Sequence, residues 1–132
     1  MAGSFSTDLS NKLLDHILKT TPLSVPTDIY VALYSAVPSK AGGGTELSGN
    51  GYARKVHNSW DAGAGGASEN TGEIAFAAAS GGDWVEAVAF ALFDAITSGN
   101  FLAWGDLVTP KTVTDGDAAK FADGALDVSL DV

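Results

Sequence analysis

YVALYSAVPSKAGGGTELSGNGYAR, residues 30–54, is the stretch on which the reading of this chain turns. At its near end Ile29, Val31 and Leu33 alternate with Tyr30, Ala32 and Tyr34, the period-2 pattern of a β-strand. At its far end Tyr52, Ala53 and Arg54 open a second extended run. Between them lie Gly42, Gly43, Gly44, Gly49 and Gly51. A glycine-rich loop holds a phosphate when its backbone nest feeds a helix N-terminus and a Gly-Lys-Ser/Thr follows. Here neither the lysine nor a helix pattern follows, so the stretch reads as strand, arm, strand. The arm, about residues 40–52, is expected to be mobile and to order on a neighbouring subunit. Arg54 at its root is the expected charged contact.

Upstream, Ser4–Thr20 carries the one clear helical pattern, with the helix itself over about residues 6–20. Leu9, Leu13 and Ile17 recur at every fourth position, and Leu14 and Leu18 widen the stripe. Ser6 or Thr7 can cap the start, Asp8 sits where the helix dipole favours an acid, and Phe5 can staple back onto Leu9. The stripe is wide enough that core packing is the first expectation, with contact to another subunit the alternative. Pro22 stops the helix.

Downstream, Tyr52–Trp60 reads as a strand with no cleanly apolar face, and Asp61–Asn70 as a loop. Glu73–Ala77 reads as a short strand. Trp84–Phe93 is the longest apolar run, consistent with a central strand buried on both faces. Asp94–Asn100 turns back into Phe101–Asp106, with Gly99 as the residue at positive φ. Val108–Val113 contains Pro110, which implies an edge or a bend. Ala118–Phe121 and Ala125–Val132 complete the strands. In the last, Leu126, Val128 and Leu130 are expected to face inward and Asp127, Ser129 and Asp131 outward. One helix followed by about eight short strands predicts a mainly β fold. The expected form is an antiparallel β-sandwich, jelly-roll-like, as a single domain over residues 1–132.

Composition narrows function. The chain has 132 residues and a net charge of −9. Residues 1–60 hold five basic and four acidic side chains, whereas residues 61–132 hold two and twelve. Such a balance argues against a nucleic-acid surface and against anionic membranes. Without cysteine, disulfides and thiolate metal sites are excluded. No basic start leads into an apolar run at the N-terminus, and no stretch approaches about 20 apolar residues, so neither a signal peptide nor a membrane span is expected.

Catalytic chemistry finds little footing. His16 and His57 are the only histidines, and neither has a second ligand at metal-binding spacing. Asp115, Asp117 and Asp123 cluster around Gly116 but lack the closing glutamate of a calcium loop. No serine lies in a G-x-S-x-G elbow. Trp60, Trp84 and Trp104 all fall in strands, which favours core or interface packing over a sugar-stacking platform. These features predict a non-enzymatic protein without cofactor or metal.

Four segments carry a resemblance. They are SFSTDLSNKLLDH (Ser4–His16), IYVALYSAVPS (Ile29–Ser39), AGGGTELSGNGYAR (Ala41–Arg54), and the hairpin WVEAVAFALFDAITSGNFLAWGDL (Trp84–Leu107) running on into TPKTVTDGDAAKFADGALDVSLD (Thr109–Asp131). Together they resemble a family of small tailed-bacteriophage virion proteins, variously labelled head decoration (cement), minor tail or tail fibre proteins. The resemblance implies a structural part of a virion, made in the host bacterial cytoplasm. The leading expectation from it is a capsid decoration protein that binds the major capsid protein and copies of itself, as a homotrimer or homodimer. The alternative is a tail or tail-fibre component contacting tail proteins. A carbohydrate-binding module using its tryptophans stands third. Contacts are expected at Phe5, Leu9 and Leu13 of the helical segment and at Thr45, Leu47, Tyr52 and Arg54 of the arm.

Overall fold

A computed structural model describes residues 3–130. In chain order its elements are β1 (Gly3–Phe5), α1 (Thr7–Leu18), β2 (Tyr30–Ala36), β3 (Thr45–Glu46), β4 (Lys55–Val56), β5 (Ala67–Glu69), β6 (Ile74–Ala75), β7 (Ala87–Phe93), β8 (Phe101–Lys111), β9 (Lys120–Phe121) and β10 (Asp127–Ser129). The fold is mainly β and antiparallel, with one helix near the N-terminus, as the strand spacing predicts. Its layers are unequal. One is a six-stranded sheet in the order β1-β8-β7-β2-β3, with β4 also paired to β2. The other consists of two ribbons, β5 with β10 and β6 with β9.

The long apolar run takes the centre of the large sheet. Strand β7 pairs with β2 on one side, Leu33 opposite Phe90, and with β8 on the other, Leu92 opposite Ala103. A strand bonded on both edges and covered on both faces has no polar face to show, which is why alternation fades there. On the inner face Val31, Leu33, Phe90 and Leu92 share one core with Trp84 and with Ile74, Phe76, Phe121, Leu126 and Val128 in and beside the two ribbons. Phe76 meets Trp84 and Phe121 edge to face, at 6.3 and 6.2 Å between ring centroids. Phe90 is fully buried because β8 carries a glycine beside it. A Cβ on Gly105 would lie 2.6 Å from Phe90 Cε1. The other face holds fully buried Ala32, Ala89 and Ala91 with Tyr34, Phe93, Phe101 and Trp104.

Several elements depart from the sequence pattern for local reasons. The predicted strand Tyr52–Trp60 shrinks to Lys55–Val56, because side chains replace the ladder around it. Asn58 Oδ1 accepts from Ile29 N at 2.8 Å, and the Tyr52 hydroxyl accepts from Leu33 N at 3.0 Å. Asp61–Asn70, loop-like in composition, contains β5, whose pairing is imposed by β10. The segment with Pro110 is not a separate strand. It belongs to β8, where Ala87 pairs with Lys111 and Ala89 with Asp106, so Leu107–Pro110 bulge out opposite Val88 alone. The hairpin turn has Gly99 at φ 79°, as expected, with Ser98 also at positive φ (53°). In the final strand Leu126 and Val128 are buried, but Leu130 is exposed rather than inward. Asp131 and Val132 of that predicted strand lie outside the described residues.

Candidate interaction surface

The 40–54 segment is expected to reach a neighbour, and its less exposed positions are bound to its own chain. Strand β3 pairs with β2, and Leu47, only 6% exposed, donates its N–H to Leu33 O at 2.9 Å. Asn50 O accepts from Ser80 N and from Trp84 Nε1. The centre of this network is Arg54. Its Nε and Nη2 grip the two Glu46 carboxylate oxygens, both at 2.9 Å, in the bidentate geometry that suits guanidinium and carboxylate. Its Nη1 donates to Ala95 O (3.0 Å) and Ser98 O (2.8 Å) in the β7–β8 hairpin turn. Its guanidinium carbon lies 3.7 Å over the Phe93 ring. The Arg54 side chain is only 8% exposed.

The electrostatics follow from this enclosure. Burial pushes the Tyr52 phenol well above its ordinary range; the Leu33 N–H opposes that, and the bond Tyr52 donates to Glu46 adds to it. Tyr34 is raised first by burial and then by the Glu46 charge. The hydrogen bond to Glu46 is the main reason the Arg54 guanidinium binds its proton more tightly still. Leu47, Tyr52 and Arg54 therefore tie the two ends of the segment to its own chain, while Gly43, Thr45, Ser48 and Gly49 stay exposed. Thr45 alone of the four predicted arm contacts is exposed. The sequence signal for this closure was the carboxylate at Glu46 eight residues before Arg54, too far apart to be read as a pair without knowing that β3 and the 52–54 segment come together.

Helix α1 is placed differently. The Ser6 hydroxyl caps it by accepting from Leu9 N at 3.1 Å, and Asp8 and Lys12 pair along its surface at 2.7 Å. It ends at Leu18, with the Lys19 N–H bonded to Asp15 O. His16 Nδ1 accepts from Leu23 N at 3.1 Å and holds the connector against the helix. None of its residues is buried, so the stripe is not core. Phe5, Leu9 and Leu13 are half-buried, and the first two border an apolar pocket with Pro26, Ile29, Trp60 and Val128. The fully presented residues are the other members of the stripe. Leu14, Ile17 and Leu18 stand out from the molecule beside Leu130 and Lys40. Sequence periodicity finds the stripe; which part of it faces out depends on how β1, paired to β8, aims the helix.

The remaining candidates have structural duties. His57 Nε2 lies 3.0 Å from Thr71 O. Asp117 accepts from the Thr114 hydroxyl and Asp123 from Gly72 N. Glu69 is raised by its hydrogen bond with Asp127, two acids set opposite each other by the β5–β10 register. Among the described residues no three His, Asp or Glu side chains converge in a way that could hold a metal ion. Trp84 is buried, and Trp60 and Trp104 are half-buried. Trp60 Nε1 donates to His57 O, while Trp104 Nε1 is buried without an acceptor. No helix among the described residues is long and apolar enough to cross a membrane.

Compared with known proteins, the chain matches the sequence model of one family, described as Gp80, podophage GP4 fiber I protein gp80, over residues 4–129. No curated protein matches it.

Proposed function

The chain belongs to the podophage GP4 fiber I protein gp80 family, a family of small tailed-phage virion structural proteins, and from that membership we propose that it is a non-enzymatic fibre component of a virion. The family match over residues 4–129 carries this reading. It favours the fibre alternative over shell decoration, the leading expectation from sequence, because the family description names a fibre. The partners in this reading are tail proteins of the same virion and not the major capsid protein. The fold suits such a role. Its β-layers and the Arg54 network make a stiff body, while α1 and exposed Thr45 offer contact elements outside it.

Copy number and position test the assignment together. Quantitative gel densitometry of purified virions should give a handful of copies per particle, and immunogold labelling should fall on the tail. Hundreds of copies, with label spread over the head, would return the protein to the shell and overturn the fibre reading.

A further inference from the structure

We propose that the outward face of α1 is a self-association surface, on which the same helix of a second copy of this chain packs about a twofold axis. Leu14, Ile17 and Leu18 are 56, 71 and 74% exposed, and Leu130 beside them is 53% exposed. With Leu13 they line one continuous apolar groove. That is more than two whole aliphatic side chains standing in water, on the order of 400 Å² of apolar surface. A patch of this size is in the range where the largest apolar patch of a monomer marks a contact.

Area favours a second copy. In a twofold pair each copy brings the same patch, so on the order of 800 Å² of apolar surface is covered at once. The polar rim around two crossed helices carries the total toward the roughly 1,200 Å² at which stable interfaces begin. Antiparallel packing of the two helices also opposes their dipoles favourably.

Charge points the same way. A chain of net charge −9 repels its own copies across most of its surface. This groove is different. Its described lining residues include no carboxylate, and Lys40 is the one charged side chain among them. At about 100° per residue, Asp8, Lys12 and Asp15 lie on the opposite side of α1 from Ile17. Among the described residues, two copies can therefore meet along Leu14 and Ile17 without setting acid against acid, with Asp15 flanking the patch at its Leu18 edge. A basic partner would be drawn instead to residues 61–132, which carry twelve acids and two lysines.

The proposal stands on the geometry of α1 and not on the fibre assignment, and it is tested on purified protein. The chain has no cysteine, so a single introduced thiol reports only on its neighbours. Under mild oxidation Ile17→Cys should give disulfide-linked dimers at concentrations where Val25→Cys, on the connector and 87% exposed in the native chain, remains monomeric. Sedimentation velocity should show the native protein passing from monomer to dimer as concentration rises, and Ile17→Glu remaining monomeric with an unchanged circular dichroism spectrum. Equal cross-linking at both positions, or a native protein monomeric throughout the micromolar range, overturns the proposal. So does an Ile17→Glu variant that still dimerises. If the native protein is monomeric and Ile17→Glu is missing from virions, the face serves another virion protein and self-association is wrong.

Discussion

Replacing Arg54 by alanine separates an internal tie from an external contact. In the structure the guanidinium makes two bonds to the Glu46 carboxylate and two to the carbonyls of Ala95 and Ser98. It also covers the Phe93 ring. Its removal leaves Glu46, whose side chain is 25% exposed, without its counter-charge, and leaves two carbonyls without donors. Breaking a buried ion pair from one side costs about 3–5 kcal/mol, and partial solvent access at Glu46 lowers that to about 2–3 kcal/mol. Loss of the cation–π contact adds about 0.5–1 kcal/mol. The sum is about 3 kcal/mol, which for a domain of this size lowers Tm by roughly 10–15 °C. Thermal denaturation of the isolated protein followed by circular dichroism measures it. A double-mutant cycle with Glu46→Gln should return a coupling of about 1–2 kcal/mol between the two side chains. If Arg54→Ala melts within about 3 °C of the native protein, Arg54 is not a tie, and its value lies in contacts with another subunit.

Two further perturbations test other parts of the fold. Gly105→Ala forces a methyl to 2.6 Å from the Phe90 ring at the centre of the sheet; overpacking of this kind should cost about 1–3 kcal/mol by urea denaturation, and an unchanged midpoint would mean the ring has room to move. Asp94 accepts from both the N–H and the side-chain amide of Asn100 at 2.7 Å, bonds that hold its carboxyl below the ordinary aspartate value. A depressed folded pKa contributes stability that is present above the unfolded pKa and is lost as pH falls through the folded one. The β7–β8 turn should therefore stay closed at neutral and mildly acidic pH and loosen only below pH 3.8. An NMR titration of the Asp94 carboxyl that matches an unfolded aspartate, or a turn that opens well above that pH, contradicts this.

The sequence by itself determined the elements whose cause is local or periodic. The cap at Ser6, the strand at Tyr30–Ala36, the buried run ending at Phe93 and the positive φ at Gly99 all follow from residue type and spacing. Absence of a lysine and of a following helix removed the phosphate reading of Gly42–Gly51 from sequence alone. Tertiary structure decided what depends on distant partners. Residues 67–69 form a strand because Asp127–Ser129 lie alongside. Arg54 turned inward because Glu46 and the Ala95 and Ser98 carbonyls converge on it from segments 8 to 44 residues away. The stripe on α1 was legible as apolar, but its phase against the body was not. Pairing of Gly3–Phe5 with β8 fixes where the helix begins and therefore which leucines meet water. A pattern along a chain records which side chains share a face; only the packing of one element against another decides whether that face is covered.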